Sequence, residues 1–521
     1  MYSGDTVTMD IKTVGAGCPL TSGSDTPQGQ TGVSITNSSE WMACGSSAMT
    51  SHFRYNGGPI IGDPYATGYP NACWWNSALG NLEGHATGSE VQIVGFEYNN
   101  AFSLYQDGVS VGSRVKFGGS TVFSVASLGS GFSGTHLYTI MPSSGNVQFQ
   151  VVIIAAVRFV GGVPTGTAPT GKPLIIGYGD SIIGSGSGPD DSTTTDWGLA
   201  SAASGYAAQI FTLSGQNVSP TLRDDTYGVI PFSNTSPDLV VLEGGENDVV
   251  ASIPIGTSTT ANTFQGDMVT MIRNVQTSAH PPTHLLVRGI LPNAYTNNGS
   301  RTTYTAAQAA AVAYVNSTYS TNVCYYDTTG WISGSPNGHS GTDDTADALH
   351  PYGATSLSAP GYGKIANREI PIFEGKIDGS SFDISGPSSG TNATTSTNFT
   401  VALRHGATWH GENVTLNDGG AGGTFTPSIG SPGTGPLAVT TPNNGSSSWT
   451  FTYTPSSTGA KTITYSGLAN CWTAPSNTSY TSNSGGGGGG GTTTIPFSVT
   501  VTGTGVAPYP VTISGNVVIT N

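Results

Sequence analysis

The 521-residue chain is too long for one typical domain, and its length predicts about three. Hydrophobic residues (36%) suffice to build cores and exclude disorder throughout, whereas a charged fraction of 9% excludes a coiled coil. The net charge of −15 opposes binding to nucleic acid phosphates and to anionic lipid headgroups. We therefore expect β-rich domains solvated by Ser, Thr, Asn and Gly, as is typical of extracellular and virion-surface proteins.

Residues 1–165 alternate short apolar segments with clusters of Gly, Ser, Asn and Asp. A two-residue apolar period predicts half-buried strands at 90–93 and 102–104, and further strands are predicted at 136–140 and 147–160. Asp107-Gly108 predicts a hairpin turn, because glycine tolerates the positive φ that such turns require. This region is expected to form a jelly-roll-like β-sandwich that serves as an accessory domain, followed by a linker at 161–171.

Residues 172–372 contain continuous apolar runs that alternate with helical stretches. The runs predict fully buried strands at 174–176, 210–213, 239–242, 285–287 and 323–326. The stretches between them predict helices at 197–209, 263–277 and 304–319. This alternation favours a three-layer α/β domain with a parallel sheet, and the active sites of such sheets lie beyond the carboxyl ends of the strands.

Residues 378–521 return to an alternating pattern that is rich in Thr, Ser and Gly. Strands are predicted at 449–454 and 495–501, and the unbroken glycine run 485–491 predicts a flexible loop. An immunoglobulin-like β-sandwich is expected for this part of the chain.

The cysteines are far apart and none forms a Cys-x-x-Cys pair, so the sequence does not support a zinc or redox site. Their odd number leaves at least one thiol free, and pairing among the first three is left open. The cysteines are Cys18, Cys44, Cys73, Cys324 and Cys471.

No membrane insertion is predicted, because the strongest apolar run, 151–157, is too short to cross a bilayer. Residues 1–5 lack a basic region followed by an apolar stretch, so no secretory signal is predicted. An extracellular or cell-surface protein with this start would have lost its signal, or would leave its cell another way, for example on a virion.

Two polar blocks follow the first two predicted strands of the central region. Gly179-Asp180-Ser181 predicts a tight turn that exposes a serine hydroxyl and leaves backbone N–H groups free to bind an oxyanion. Gly215 allows a ligand to approach the backbone closely. Taken alone, each block is more often an ordinary surface turn.

Two further blocks supply an amide and an acid–histidine pair. In Gly245-Glu246-Asn247-Asp248, the Asn247 amide can donate to a developing negative charge, or can bond its own backbone in a turn. In Asp347-Ala348-Leu349-His350, an acid three residues before a histidine can orient the imidazole. A lone Asp-x-x-His is more often a solvated loop.

Together, the blocks resemble those of the SGNH (GDSL-type) hydrolases, which are named for Ser, Gly, Asn and His. All of them occur here in that order, and the resemblance covers the region 172–372. Ile182 stands where the family name has leucine, which is a conservative change. A β-sandwich before such a domain also resembles bacterial carbohydrate esterases that remove acetyl groups from polysaccharides.

The resemblance implies a Ser-His-Asp esterase mechanism. Ser181 would be the nucleophile, His350 the general base and acid, and Asp347 the residue that fixes the imidazole tautomer. The oxyanion hole would consist of the backbone N–H groups of Ser181 and Gly215 and the side chain of Asn247. This mechanism needs no metal or other cofactor, and the sequence shows no metal-ligand cluster.

Rival residues lie just before the acid–histidine block. His339 and the pair Asp343-Asp344 could supply the base or its orienting acid, although a polar loop beside the site is the favoured interpretation. Asp180 and Asp248 are expected to hold turns, and Glu246 is expected to face solvent or substrate.

Aromatic side chains in the N-terminal region could form a stacking platform for sugar rings. They are Trp41, Tyr69, Trp74 and Trp75. For most of them, a place in the core of the sandwich is the favoured interpretation.

Two hypotheses for the function follow. The first is a serine esterase that removes O-acetyl groups from an acetylated polysaccharide or cell-surface glycan, positioned by accessory sandwiches. The second is a structural or adhesive surface protein, such as a phage fibre or decoration protein, that assembles as a homo-oligomer or on a virion and has a secondary or inactive hydrolase domain. A lipase is disfavoured, because no long apolar lid lies between the blocks.

Overall fold

The computed structural model describes most of the chain from residue 41 to residue 519. It leaves out, within that range, 45, 57–59, 62–72, 76–78, 99–100, 116–123, 143–150, 184–191, 225–235, 294–298, 334–343, 346–348, 485–492 and 502–510. The sequence predictions that lie outside the described residues concern Cys18, Tyr69, His339, Asp343, Asp347 and the glycine run 485–491.

The N-terminal part forms two antiparallel sheets. Its strands are β1 Trp41–Ala43, β2 Phe53–Asn56, β3 Ile60–Ile61, β4 Cys73–Trp75, β5 Asn81–Thr87, β6 Glu90–Tyr98, β7 Phe102–Gln106, β8 Val109–Val115, β9 Ser124–Ser130, β10 Thr135–Pro142 and β11 Val151–Val160, and its short helix is α1 Ser47–Thr50. One sheet has the order β3-β4-β11-β6-β9 with β1 beside β11, and the other has the order β2-β5-β10-β7-β8. Buried side chains of both sheets, such as Leu82 and Ile154, share one apolar cluster.

The predicted hairpin at Asp107-Gly108 is confirmed. These residues join β7 and β8, and both have a positive φ, 51° and 80°. The connection 161–171 is held along β5 rather than standing apart, since Val163 accepts a hydrogen bond from the Thr87 N–H and Thr165 donates one to the His85 carbonyl.

The central part contains the predicted parallel sheet. Its strands are β12 Leu174–Gly179, β13 Ala207–Thr212, β14 Leu239–Leu242, β15 His284–Arg288 and β16 Cys324–Tyr326. Their order is β13-β12-β14-β15-β16, and every neighbouring pair is parallel. Because the strands are parallel, the loops after β12, β13 and β14 lie at the same carboxyl edge of the sheet. From β12 the strand order runs outward on both sides, to β13 on one side and to β14 on the other, and such sheets bind ligands at this point.

Helices cover both faces of this sheet. They are α2 Asp196–Ser204, α3 Glu246–Ala251, α4 Phe264–Gln276, α5 Gly299–Tyr319 and α6 Tyr362–Ile377. The side chains of β12 alternate, because successive residues of a strand point to opposite faces. Ile175 packs in one cluster with Trp197 of α2 and Phe373 of α6, whereas Ile176 packs in another with Met271 of α4.

The predicted helix 197–209 is too long at its carboxyl end. Helix α2 ends at Ser204 because Gly205 adopts a left-handed φ of 75° and donates its N–H to the Ser201 carbonyl. The chain then enters β13 at Ala207, so residues 207–209 of the predicted helix form a strand instead.

The C-terminal part is again β-rich. Its strands are β17 Asp383–Ser385, β18 Ser389–Thr391, β19 Phe399–Ala402, β20 Asn413–Asn417, β21 Thr424–Pro427, β22 Gly433–Thr434, β23 Leu437–Thr440, β24 Ser448–Thr454, β25 Gly459–Ser466, β26 Thr478–Asn483, β27 Thr493–Val501 and β28 Val511–Ile519. They form sheets with the orders β17-β19-β24-β21-β22 and β18-β26-β25-β20-β23, and β27 pairs with β28 alone. No helix of the described residues is long and apolar enough to span a membrane.

A disulfide bond joins the central and C-terminal parts. It connects Cys324, at the start of β16, to Cys471 across 147 positions of sequence. The two parts also share one apolar cluster, in which Phe373 of α6 lies with Phe382 and Trp409. The sequence did not indicate this pairing; Cys44 is disulfide-bonded as well.

Replacing both Cys324 and Cys471 with serine is expected to destabilise the protein by about 2–5 kcal/mol, because the bond closes a long loop and so restricts the unfolded chain. The measurement is the midpoint of chemical unfolding, followed by tryptophan fluorescence without reductant, so that the disulfide of Cys44 stays intact. An unchanged midpoint would show that the Cys324–Cys471 bond adds no stability beyond that of the packing between the two parts.

Candidate active site

The turn after β12 carries Ser181 at the carboxyl edge of the sheet. Asp180 holds this turn as predicted, since its Oδ1 accepts the Ile182 N–H at 2.9 Å and its own N–H donates to Glu243 Oε2 at 3.3 Å. At Gly179 a Cβ atom would lie 2.5 Å from Glu243 Oε2 and 2.8 Å from the Glu243 carbonyl oxygen, so only glycine fits this crossing.

His350 lies directly against Ser181. The distance from His350 Nε2 to Ser181 Oγ is 2.9 Å, although the two residues are 169 positions apart. Their exposed fractions are 7% and 6%, so water competes little for this hydrogen bond. A hydroxyl within hydrogen-bond distance of an imidazole is the arrangement that activates a serine nucleophile.

The loop that carries His350 is anchored on both sides. The hydroxyl group of Tyr362, the first residue of α6, donates to the Ile182 carbonyl at 2.7 Å and so ties this helix to the serine turn. Thr345 and Pro351 form an isolated β-bridge that closes the loop.

Asp344, which the sequence offered as an alternative orienting acid for the catalytic base, instead holds the surrounding loop in place in the contacts that the structure describes. Its buried carboxylate accepts the N–H groups of Ser333 and Gly361 and pairs with Lys364. Burial by itself would raise the pKa of Asp344, but these hydrogen bonds outweigh it and lower the pKa. The charged carboxylate therefore fixes the segment between β16 and α6, as expected of a polar loop beside the site.

Two backbone N–H groups of the first two blocks have no acceptor among the described residues. Among the residues that the structure describes, nothing accepts a hydrogen bond from the N–H of Ser181 or of Gly215. Gly215 has a φ of 72°, and apart from its chain neighbours no heavy atom of the described residues lies within 4 Å of the place where its Cβ would be.

The Asn247 side chain lies between the serine turn and the second block. Its Nδ2 donates to Asp180 Oδ2 and to the Gln216 carbonyl, each at 3.1 Å. Asp248 holds the neighbouring loop as predicted, because its carboxylate accepts the N–H groups of Val218 and Ser219. The Asn247 amide thus donates one hydrogen bond to the serine turn and one to the loop of the second block.

Three buried carboxyl groups lie beneath the serine turn, which the sequence did not reveal. One oxygen each of Asp180, Glu243 and Glu246 lies within 4.8 Å of the others. The expectation that Glu246 faces solvent or substrate is wrong: it is 2% exposed and its Oε1 accepts the Leu291 N–H at 3.0 Å. The helical turn that starts at Glu246 directs this side chain inward, under the sheet edge.

Burial and mutual repulsion raise the pKa values of this cluster. Burial, with the negative charge of Glu243, raises the pKa of Asp180 well above its usual value, and burial with Glu246 does the same for Glu243. Burial, with the charge of Asp180, raises the pKa of Glu246 to about 8. Glu243 Oε1 and Glu246 Oε2 have no donor among the described residues, so a shared proton is the partner that satisfies them. The same three carboxyl oxygens also form a donor set that could hold a metal ion, which the sequence did not indicate.

Arg288 completes the charge balance under the sheet edge. It is fully buried at the end of β15, and its Nη1 donates to Asp196 and to Glu369. The hydroxyl group of Tyr326 donates to the same Glu369 oxygen at 2.7 Å. This network joins β15 and β16 to α2 and α6, and of these β16 and α6 precede and follow the His350 loop.

Comparison with protein families agrees with this geometry. Residues 178–355 match the model of the GDSL-like lipase/acylhydrolase family. The predicted resemblance is therefore confirmed for the central part of the chain, which contains a GDSL-like hydrolase domain. The comparison with curated protein sequences gave no match.

Similar solved structures include three carbohydrate esterases. A family two carbohydrate esterase from Clostridium thermocellum, in complex with cellohexaose, is 17% identical, covers 63% of this chain and 99% of its own, and has a TM-score of 0.47. A family two carbohydrate esterase from Cellvibrio japonicus is 18% identical over 65% of this chain and 98% of its own, with a TM-score of 0.45. An acetyl xylan esterase from the rumen bacterium Butyrivibrio proteoclasticus is 12% identical over 65% and 99%, with a TM-score of 0.46.

Replacing Glu246 with glutamine is expected to raise the stability of the protein at high pH. Because the folded-state pKa of Glu246 is raised from 4.5 to about 8, the neutral carboxyl stabilises the fold fully below pH 4.5, and this contribution is lost as the pH rises through about 8. Glutamine resembles the neutral form and does not ionise. We expect Glu246→Gln to gain at least about 1 kcal/mol at pH 9 and to match the wild type at pH 4.5.

Thermal unfolding between pH 4.5 and pH 9 measures this difference. The control is Asp224→Asn, because Asp224 is exposed and the Arg223 guanidinium lowers its pKa. It should show no gain at high pH. A stability difference for Glu246→Gln that does not change with pH would contradict the protonated cluster.

Proposed function

We propose that this protein is a serine esterase that removes O-acetyl or other short acyl groups from a polysaccharide. The observation that carries the proposal is the 2.9 Å contact between Ser181 Oγ and His350 Nε2 at the carboxyl edge of the sheet. The match of residues 178–355 to an acylhydrolase family supports the same reaction class.

The reaction proceeds through an acyl-enzyme. Ser181 Oγ attacks the ester carbonyl, and His350 Nε2 takes the hydroxyl proton and returns it to the sugar oxygen as the C–O bond breaks. Water, deprotonated by the same imidazole, then releases the acid and restores Ser181. The role of orienting the imidazole is assigned to Asp347 by its place in the fourth block.

Three donors stabilise the tetrahedral intermediate in this proposal. The N–H groups of Ser181 and Gly215 bind the oxyanion, and the free state of both donors supports this role. Asn247 exchanges its bond to the Gln216 carbonyl for the oxyanion while Asp180 keeps its amide in place.

The properties of the protein surface favour an ester of a neutral polymer over a lipid ester as the substrate. Among the residues that the structure describes, the exposed large apolar side chains are scattered: Val109, Val163, Val250 and Tyr319. Burying a long acyl chain requires a continuous apolar patch. The net charge of −15 further opposes anionic lipid surfaces.

The flanking regions act as accessory modules in this proposal. We assign residues 1–165 to a jelly-roll-like β-sandwich, 172–372 to the hydrolase domain and 378–521 to an immunoglobulin-like β-sandwich. The Cys324–Cys471 disulfide supports an extracellular or cell-surface location, since such bonds persist in oxidising environments.

Replacing Ser181 with alanine is expected to lower kcat for a chromogenic acetate ester at least about 10³-fold, because the nucleophile is lost while the fold is kept. The matched control is Ser317→Ala, on helix α5 and outside the four blocks, which should keep the wild-type rate. Equal rates for Ser181→Ala and the wild type would remove the serine mechanism. The acyl class follows from comparing acetate and octanoate esters, of which acetate should be cleaved faster.

Replacing Asn247 with alanine is expected to lower kcat about 10²–10³-fold with little change in KM, since the amide acts on charge that develops only in the transition state. Steady-state kinetics on the same acetate ester measure both constants, and thermal unfolding checks that the loop stays folded. A rise in KM at constant kcat would place Asn247 in substrate binding instead.

A further inference from the structure

A cleft of about 180 Å³ lies between the hydrolase domain and the C-terminal region, and the proposed reaction does not use it. Ligand sites commonly form where two structural units meet. We call it the inter-domain cleft, and its lining residues that matter here are Asp327, Trp331, Arg368, Glu412, Asn470 and Trp472.

Two indole rings of this cleft are held in place by neighbouring rings. Trp331 stacks on Tyr326, with ring centroids 5.6 Å apart and an angle of 19° between the planes. Trp472 packs on Trp409 at 5.5 Å. Both indoles are only partly buried, so their remaining surface lines the cleft. Aromatic faces that are already fixed bind a ring-shaped ligand with little loss of side-chain entropy.

Polar groups of the cleft have unused hydrogen-bonding capacity. The guanidinium carbon of Arg368 lies 5.7 Å from the centre of the Trp331 ring, and Arg368 Nε is buried without a hydrogen-bond partner among the described residues. Glu412 uses its Oε2 for the His410 N–H and the Thr441 hydroxyl. Asp327 and Asn470 are exposed to solvent. Carboxylate, amide and guanidinium groups around an aromatic surface match the hydroxyls and the apolar face of a sugar.

The charge of the cleft favours a neutral ligand. Two carboxylates, Asp327 and Glu412, face one guanidinium, Arg368, on a chain of net charge −15. An anionic ligand would be repelled by this excess. The volume is below the roughly 300–1,000 Å³ of pockets that enclose drug-sized ligands, and it therefore suits one ring with the rest of the polymer outside.

The cleft is connected to the catalytic edge. Asp327 and Trp331 follow the carboxyl end of β16, on the side of the sheet where Ser181 lies. Trp331 packs in the same apolar cluster as Ile182 and Leu349, the neighbours of Ser181 and His350.

A covalent bond holds the two walls of the cleft together. Cys471 stands between Asn470 and Trp472, and its disulfide partner Cys324 lies two residues before Tyr326. The wall from the C-terminal region is therefore fixed against the wall from the hydrolase domain before any ligand binds.

From these observations we propose that the inter-domain cleft is a binding subsite for one neutral sugar ring of the polysaccharide chain whose acyl group reaches Ser181. This inference rests on the proposed esterase function and names the part of the substrate that the C-terminal region recognises. It replaces the N-terminal platform considered for Trp41, which is 7% exposed and lies under the Arg158 guanidinium.

The test is direct binding of neutral hexasaccharides of β-1,4-linked glucose, xylose or mannose to the full chain carrying Ser181→Ala, measured by calorimetry. We expect binding of at least one of them, and we expect Trp472→Ala to weaken it about tenfold. Trp472→Phe, which keeps a ring against Trp409, should give an intermediate loss and guards against a folding defect. Tyr319→Ala, an exposed aromatic on α5, is the matched control and should bind like the parent.

The same variants in the active enzyme separate this inference from the proposed function. On acetylated polysaccharide, Trp472→Ala should lower kcat/KM about tenfold more than it does on a small acetate ester. Binding without any ester hydrolysis by the wild type would refute the esterase and keep the subsite. Hydrolysis of acetylated polymer with no oligosaccharide binding, or with binding that Trp472→Ala leaves unchanged, would overturn the subsite.

Discussion

The hydrogen bond between Ser181 and His350 depends on the parallel order of the central sheet. The strand order runs outward from β12 to β13 on one side and to β14 on the other, so the loops after these three parallel strands lie together at one edge. The loop before α6 carries His350 to the same edge. Tyr362 then ties α6 to the serine turn, and Asp344 accepts the N–H of Ser333 in the segment after β16 and the N–H of Gly361 just before α6. A contact between residues 169 positions apart is thereby held in a buried setting.

This edge is built at an electrostatic cost. Asp180, Glu243 and Glu246 are buried close together, and burial and mutual repulsion raise their pKa values. Arg288 pairs with the neighbouring carboxylates of Asp196 and Glu369. The same groups shape the site: Glu243 holds the Asp180 N–H, and Asp180 holds both Ile182 and Asn247. The serine turn thus owes its shape to carboxyl groups that take no part in the proposed chemistry.

Sequence patterns predict the secondary-structure elements whose position depends on the local apolar pattern and on helix propensity. The central strands were predicted because continuous apolar runs such as 239–242 are buried on both faces of a parallel sheet. The helix 197–209 was extended too far because alanine-rich sequence favours helix, while Gly205 ends it. Helix α6 was not predicted; it carries Gly363, Pro371 and Gly375, residues that disfavour a helix interior, and packing against α2 stabilises it.

The sequence by itself determined the hydrolase class, because four short blocks in a defined order encode a local turn, free N–H groups, an amide and an imidazole. Only the tertiary structure decided which distant groups meet. Three features depend on how the strand ends and the domains pack. They are the inward direction of the Glu246 side chain, the Cys324–Cys471 bond, and the inter-domain cleft that Trp331 and Trp472 line together. Such contacts leave no periodic trace in the chain, since they join segments whose spacing in sequence is unrelated to their distance in space.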